Sequence, residues 1–107
     1  MIIRTARVDV LPTKRNELMQ TLKTLVSEIR NVTGCQGCSF YQDTEDESRF
    51  ILREKWANQE ALDKHLRSHR YKVLVGAINL LSKKSDINYY TTESSEANEA
   101  RNDEDEN

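Results

Sequence analysis

The chain has few of the residues that interrupt or cross-link a fold, with one proline, three glycines and two cysteines among 107 residues. Apolar residues make up only 36% of it, and no apolar run approaches the roughly 20 residues that cross a bilayer. The first residues, MIIRTARVDV, carry charges among their apolar side chains, which is not the pattern of a secretory signal. We therefore expect a cytoplasmic protein without a membrane partner, in which both cysteines remain thiols.

Charge is unevenly divided along the chain. Residues 93–107 hold seven acidic residues and one arginine, a net charge of −6, whereas residues 1–92 carry a net charge of +4. The acidic stretch contains no aromatic or β-branched residue, so we predict a single domain over 1–92 followed by a disordered tail over 93–107. A net charge of +4 without a concentrated Lys/Arg face does not indicate a nucleic-acid partner.

Hydrophobic periodicity predicts a strand over 2–11 and then a long helix. Pro12 ends the strand, Thr13 can cap the helix, and the helix runs to about Val32. Gly34 supplies the stop, because glycine accepts the left-handed backbone conformation that closes helices. The apolar stripe of this helix consists of Leu18, Leu22, Leu25, Val26 and Ile29, with Met19 and Val32 beside it.

The remainder predicts an antiparallel hairpin, two helical segments and a last strand. Strands over 37–43 and 48–56 are joined by an acidic turn, Asn58 caps a short helix to Ser68, and a second helical segment covers 70–81. A strand over 86–92 completes the order β-α-β-β-α-β. This order predicts an α+β, ferredoxin-like fold in which both helical segments cover one face of a four-stranded antiparallel sheet.

Helices on one face leave the other face of the sheet uncovered. We expect that face to carry apolar and aromatic side chains drawn from Phe40, Phe50, Leu52, Trp56, and Tyr89 or Tyr90. A monomer seldom exposes such a contiguous apolar area, so two copies packed sheet to sheet about a two-fold axis would bury it. We therefore predict a homodimer.

The strand and helix around Trp56 deliver three kinds of polar side chain to one region. Alternation along 49–56 places Glu54 between Leu52 and Trp56 on one face of the sheet, and His65 follows on the apolar side of the next helix. A buried carboxylate suits proton transfer or the holding of a substrate hydroxyl, an indole suits an aromatic wall, and an imidazole suits proton abstraction near neutral pH. The alternatives are a structural salt bridge from Glu54 to Arg4, Arg7, Arg53 or another subunit, and plain core packing for the two rings.

Metal and thiol chemistry fit the pattern poorly. Cys35-x-x-Cys38 followed by His65-x-x-x-His69 has the residue types of a zinc site, but the gap between the pairs is far longer than the roughly 12–15 residues of a zinc finger. A redox C-x-x-C motif begins at a helix N-terminus, whereas this one follows a helix C-terminus. We therefore expect no metal and no redox role for the cysteines.

Within this region the chain resembles the antibiotic biosynthesis monooxygenase family, and its quinol-monooxygenase-like members in particular. The resemblance extends over about residues 1–92 and is carried by a Gly-Cys after the first helix and by E-x-W followed by E-A-L-x-x-H-L-x-S; the matching residues are Gly34, Cys35, Glu54, Trp56, Glu60, Ala61, Leu62, His65, Leu66 and Ser68. The chain departs from the family where a second histidine often stands. That position is Arg70, between His69 and Tyr71.

The resemblance implies a dimeric α+β barrel with a pocket between sheet and helices, and oxidation of a quinol or polyphenol by molecular oxygen without metal or flavin. His65 would be the base and Glu54 its orienting partner or a substrate anchor. The remaining expected substrate-binding residues are Trp56, Tyr71, Phe50 and His69. The alternative function is a dimeric domain of the same fold that binds a small aromatic molecule without turnover.

Haem degradation, known for some relatives of this fold, is not expected. His65 stands where those relatives have a tryptophan, and Val75 stands where they have a histidine.

Overall fold

The computed structural model describes residues 1–83 and 88–93 of the chain. The strands are β1 (Ile2–Asp9), β2 (Cys35–Gln42), β3 (Arg49–Trp56) and β4 (Asn88–Glu93), and the helices are α1 (Arg15–Ile29), α2 (Gln59–Arg67) and α3 (His69–Leu81). A short 3-10 turn, Pro12–Lys14, precedes α1. Over the residues described, none of the helices is both long enough and apolar enough to cross a membrane.

The four strands form one antiparallel sheet in the order β2-β3-β1-β4. The predicted ferredoxin-like α+β fold is confirmed, including the β2–β3 hairpin. In this register Glu54, two residues before the end of β3, lies opposite Arg4 of β1 on one side and Cys38 of β2 on the other. The three side chains therefore belong to one cross-strand row on the same face of the sheet.

The core lies between this face and the helices. The predicted stripe of α1 is fully buried, and α3 buries Leu74, Ile78 and Leu81. On the strands every second residue of β1 and β3 is buried, which is the period expected when one face of a sheet is covered. The buried residues of α2 are Leu62 and His65.

The assignment of aromatic residues to the uncovered face is wrong. Phe50, Leu52 and Trp56 are buried on the face that the helices cover, and Phe40 packs against the same core. The physical reason is that these are the largest apolar side chains of the sheet, and the apolar stripes of α1, α2 and α3 need them as packing partners. The side chains of Tyr89 and Tyr90 lie outside what the structure describes. The opposite face carries a more polar set from β1, β2 and β3: Ile3, Thr5, Arg7, Asp9, Ser39, Tyr41, Arg49, Ile51, Arg53 and Lys55.

The first helix begins differently from the prediction. Thr13 lies inside the 3-10 turn, which has Pro12 in its first position, and neither that turn nor α1 has a side-chain cap. Proline fits the first position of such a turn because its fixed φ is already helical. At the other end of the chain β4 extends to Glu93, the first residue of the predicted disordered tail, and residues 94–107 of that tail lie outside the described residues.

The prediction that Gly34 ends the first helix near Val32 is wrong, because α1 ends at Ile29 with Arg30 as its C-cap, and Gly34 lies in the turn that leads into β2. Two features require glycine at this position. Its φ is +89°, a conformation that favours glycine, and a Cβ added there would lie 2.4 Å from Cβ of Ala61 on α2. Its carbonyl also accepts a hydrogen bond from the backbone N–H of Ala57. Gly34 thereby holds the start of β2 close to the start of α2, next to the end of β3.

Candidate active site between sheet and helices

The site is built around Glu54, whose side chain is 1% exposed. Strand alternation points it towards the helices, and its Oε1 accepts a hydrogen bond of 2.9 Å from the indole Nε1 of Trp56, two residues further along the same face. A carboxylate buried to this degree needs polar partners, because desolvation penalises its charged form. The indole N–H is one of them.

His65 reaches the same carboxylate from α2. Its Nε2 lies 3.1 Å from Glu54 Oε1, and its ring stacks on that of Trp56 with centroids 4.5 Å apart and an angle of 27° between the planes. The short N–O approach is not aligned as a hydrogen bond, so neither ring nitrogen has a hydrogen-bond partner among residues 1–83 and 88–93. A 1% exposed imidazole with two unpartnered nitrogens is one that a ligand could satisfy.

The convergence of Glu54, Trp56 and His65 predicted from the sequence is therefore present in the structure. The Asn58 cap explains how it arises. Its side chain accepts a hydrogen bond of 2.9 Å from the backbone N–H of Ala61, which starts α2 two residues after the end of β3. The buried side of α2 then places His65 over the end of β3.

Tyr71 extends the group from α3. Its ring meets that of His65 edge-on, with centroids 5.2 Å apart. Ser68 connects the two residues, because its hydroxyl donates to the His65 carbonyl and accepts from the Tyr71 backbone N–H. This serine ends α2 and caps α3, so the break between the two helices fixes the position of Tyr71 relative to His65.

Arg4, expected from the sequence only as a salt-bridge partner for Glu54, is a further member of the group. Its side chain is 7% exposed, its Nη2 donates a hydrogen bond of 2.9 Å to the hydroxyl of Tyr71, and its guanidinium lies 5.2 Å from the centre of the Tyr71 ring. Arg4 also makes a further interaction besides these. The available sequence signal was an arginine on the buried side of β1, between Ile2 and Ala6.

The structure does not bring the other two expected substrate-binding residues to this group. Phe50 is buried on β3 four residues before Glu54, which is about 13 Å along the strand. Its ring neighbours that of Phe40. His69 is exposed at the start of α3. The chain turns at Ser68 between the two helices, so His69 does not continue the buried face of α2.

The two cysteines lie beside the site but are poorly suited to reaction. Burial raises the pKa of the Cys38 thiol to about 12, with the Glu54 carboxylate adding to the effect, and burial also raises the pKa of Cys35. Thiolate, the reactive form, is therefore scarce at neutral pH. Within the part of the chain that the structure describes, no group of three His, Cys, Asp or Glu side chains is placed to share a metal ion.

Fold and site together define a small ferredoxin-like domain that encloses a carboxylate, an indole and an imidazole between its sheet and its helices. The sequence profile of the antibiotic biosynthesis monooxygenase family matches residues 1–77, and the chain belongs to that family.

The chain is also similar to individual proteins and solved structures. The uncharacterized protein sll1783 from Synechocystis is 30% identical over 90 residues, which are 83% of this chain and 61% of that protein. The present chain thus spans less than two thirds of this relative's length. Two crystal structures share the fold at a TM-score of 0.81: an antibiotic biosynthesis monooxygenase, 22% identical, with 89% of this chain and 99% of that one covered, and a conserved protein from Methanosarcina mazei, 26% identical, with 88% and 92% covered.

Proposed function

We propose that the protein is a cofactor-independent monooxygenase that oxidises a quinol or polyphenol with molecular oxygen. The observation that carries the proposal is the buried imidazole of His65, which contacts Glu54 and Trp56 and has two nitrogens without hydrogen-bond partners among the described residues. The family assignment supports the reaction class, while the aromatic substrate is inferred from the rings of the site.

In the proposed reaction His65 accepts a proton from a substrate hydroxyl. The resulting anion gives up electrons to oxygen; one oxygen atom is inserted into the substrate ring and the other leaves as water, so that a quinol becomes a hydroxyquinone. The substrate itself supplies the reducing electrons. Glu54 stabilises the imidazolium or anchors a second hydroxyl, Trp56 is an aromatic wall, and Tyr71 contributes a ring that contacts the substrate at the α3 side of the site.

A second candidate is binding of a small aromatic molecule without turnover. It is favoured by Arg70, which stands where the family often has a second histidine, so that an imidazole available to many relatives is missing from this chain. Saturable binding of quinols without product would select this function.

Oxygen uptake with a panel of hydroquinones, measured in the presence of a metal chelator, tests the proposal. We expect uptake by the wild-type protein and a decrease of about 100-fold or more in His65→Ala, because a positioned base contributes about that much. His69→Ala is the matched control, since it removes an exposed imidazole from α3, and it should retain wild-type uptake. Equal rates in wild type and His65→Ala, with the fold intact by circular dichroism, would remove His65 from the mechanism.

We further propose a homodimer that packs the uncovered sheet faces together. Its support is the family's fold, which is commonly dimeric, and a small apolar group on that face. Ile51 of β3 lies opposite Tyr41 of β2 in the register, and the Tyr41 side chain is 52% exposed.

A further inference from the structure

Tyr71 is itself a phenol, and the protein holds it with the groups that would recognise a phenolic ligand. A guanidinium donates to its hydroxyl at 2.9 Å, the same guanidinium lies 5.2 Å from the ring centre, and the imidazole of His65 meets the ring at 5.2 Å. A cation facing a phenol ring and donating to its oxygen favours an electron-rich phenol and its anion. These contacts are made by residues of β1, α2 and α3 together.

The position of Arg4 is not explained by an exposed ion pair. Arginine is rarely buried without partners, and here the guanidinium lies on the helix-covered face of β1, opposite Glu54 in the register. Tyr71 is one of its partners, and a further interaction is also made. Arg4 therefore provides a desolvated, positioned donor next to the carboxylate and imidazole of the candidate active site.

Tyr71 is the most accessible of the five residues that form this group. Arg4, Glu54, Trp56 and His65 are buried, whereas Tyr71 is partly exposed in the first turn of α3. Its backbone is fixed by the Ser68 cap, but rotation about its side-chain bonds would move the ring without moving β1, β3 or α2. Of the five residues, Tyr71 is therefore the one whose displacement we expect to admit a ligand to Arg4 and His65.

We propose that Arg4 and His65 form a phenol-binding subsite in which the Tyr71 side chain is the resident occupant, displaced when a phenolic ligand arrives. The ligand's hydroxyl then replaces that of Tyr71 on Arg4 Nη2, and its ring takes the place of the Tyr71 ring against His65. The ligand class, a phenol or hydroquinone, rests on the proposed function. Arg4 is thus an additional substrate-binding residue. It binds the phenolic oxygen of the ligand, which becomes negatively charged when His65 removes its proton.

Removing the resident ring should create a site for free phenol. In Tyr71→Ala, phenol should bind saturably by titration calorimetry, raise the Tm, and bind about tenfold or more tightly than toluene, which has the same ring but no hydroxyl. The preference follows because a hydrogen bond to a charged donor is lost with toluene. Leu80→Ala is the control: it removes an exposed side chain from α3, away from the sheet and the site, and should create no phenol site.

A second variant covers the case in which Tyr71→Ala does not fold. Tyr71→Phe keeps the ring but removes its hydrogen bond to Arg4, so displacing the ring becomes easier and hydroquinone should bind about tenfold more tightly than to wild type. A hydrogen bond with a purely structural role would instead leave hydroquinone affinity unchanged or weaker.

Three results would refute the subsite: phenol binds Tyr71→Ala no more tightly than toluene does, Tyr71→Phe binds hydroquinone no more tightly than the wild type does, or neither variant binds phenol or hydroquinone. If phenol binds Tyr71→Ala but the wild-type protein takes up no oxygen, the subsite is supported and the proposed monooxygenase activity is refuted. If the wild-type protein takes up oxygen but Tyr71→Ala does not bind phenol more tightly than toluene, only the subsite is refuted.

Discussion

His65 is positioned by stacking rather than by hydrogen bonds. Its ring is held against Trp56 and edge-on to Tyr71, so the plane of the imidazole is set before a ligand supplies a hydrogen-bond partner. Such preorganisation suits a base, because no side chain has to be reoriented as the proton moves. The Glu54 oxygen 3.1 Å away would then stabilise the positive charge that the ring acquires.

Cys38 predicts a pH dependence of stability. Burial, with Glu54 beside it, raises the pKa of this thiol from 9.0 to about 12, so the folded state favours the neutral form. The stabilisation is complete below pH 9.0 and is lost as the pH rises towards about 12. Urea unfolding across this range should show a free energy of unfolding that falls with pH less steeply in Cys38→Ala than in wild type.

Val26→Ala is the control for this comparison, because it removes buried apolar volume without a titratable group. It should lower the free energy of unfolding by a similar amount at every pH and keep the wild-type slope. An unchanged slope in Cys38→Ala would contradict the raised pKa.

Four of the site residues could be predicted from the sequence: Glu54, Trp56 and His65 from local patterns, and Tyr71 from the resemblance to the family; the place of Arg4 in the site could not. Strand alternation, the Asn58 cap and helical spacing are local rules, and they were sufficient to bring Glu54, Trp56 and His65 together. The end of a long arginine side chain is directed by tertiary contacts instead. Its partner Tyr71 is 67 positions away in the chain, so no local pattern could reveal the contact.

At the scale of elements, the break between α2 and α3 was predicted, and its effect on His69 was not. Helical spacing continued past Ser68 places His69 one turn after His65, but Ser68 adopts an extended conformation and α3 starts in a new direction. The sequence also shows which residues of a strand share a face, but it does not show which face the helices cover. Alternation places Phe50, Leu52, Glu54 and Trp56 on the same face of the sheet, and tertiary packing decides that the helices cover this face.

Two glycines should respond in opposite directions to the same substitution. Gly34→Ala should destabilise the fold by about 2–4 kcal/mol, because it strains a positive φ and brings a methyl group against Ala61. Gly76→Ala, in the interior of α3, should stabilise it by about 0.5–1 kcal/mol, since an added Cβ there meets nothing within 4 Å. Chemical denaturation of both variants measures the two effects, and destabilisation by Gly76→Ala would show that this side of α3 is covered in solution.

At the scale of the whole molecule, the homodimer proposal predicts which surface is sensitive to charge. Ile51→Lys adds a cation to the uncovered sheet face, where Arg7 already lies opposite it, and should shift the protein towards monomer by analytical ultracentrifugation. Leu80→Lys is the control, because that side chain is 78% exposed on α3, away from the sheet. A wild-type monomer at micromolar concentration, or dissociation caused by Leu80→Lys alone, would refute the proposed interface.

Trp56 has a consequence for how the protein can be studied. It is the one tryptophan in the sequence, it is fully buried, and it touches both the carboxylate and the imidazole of the candidate site. Ultraviolet emission from the folded chain, excited at the red edge of protein absorption, therefore originates inside the site itself. Occupancy, proton movement and local opening can each be followed there in real time, without attaching a dye.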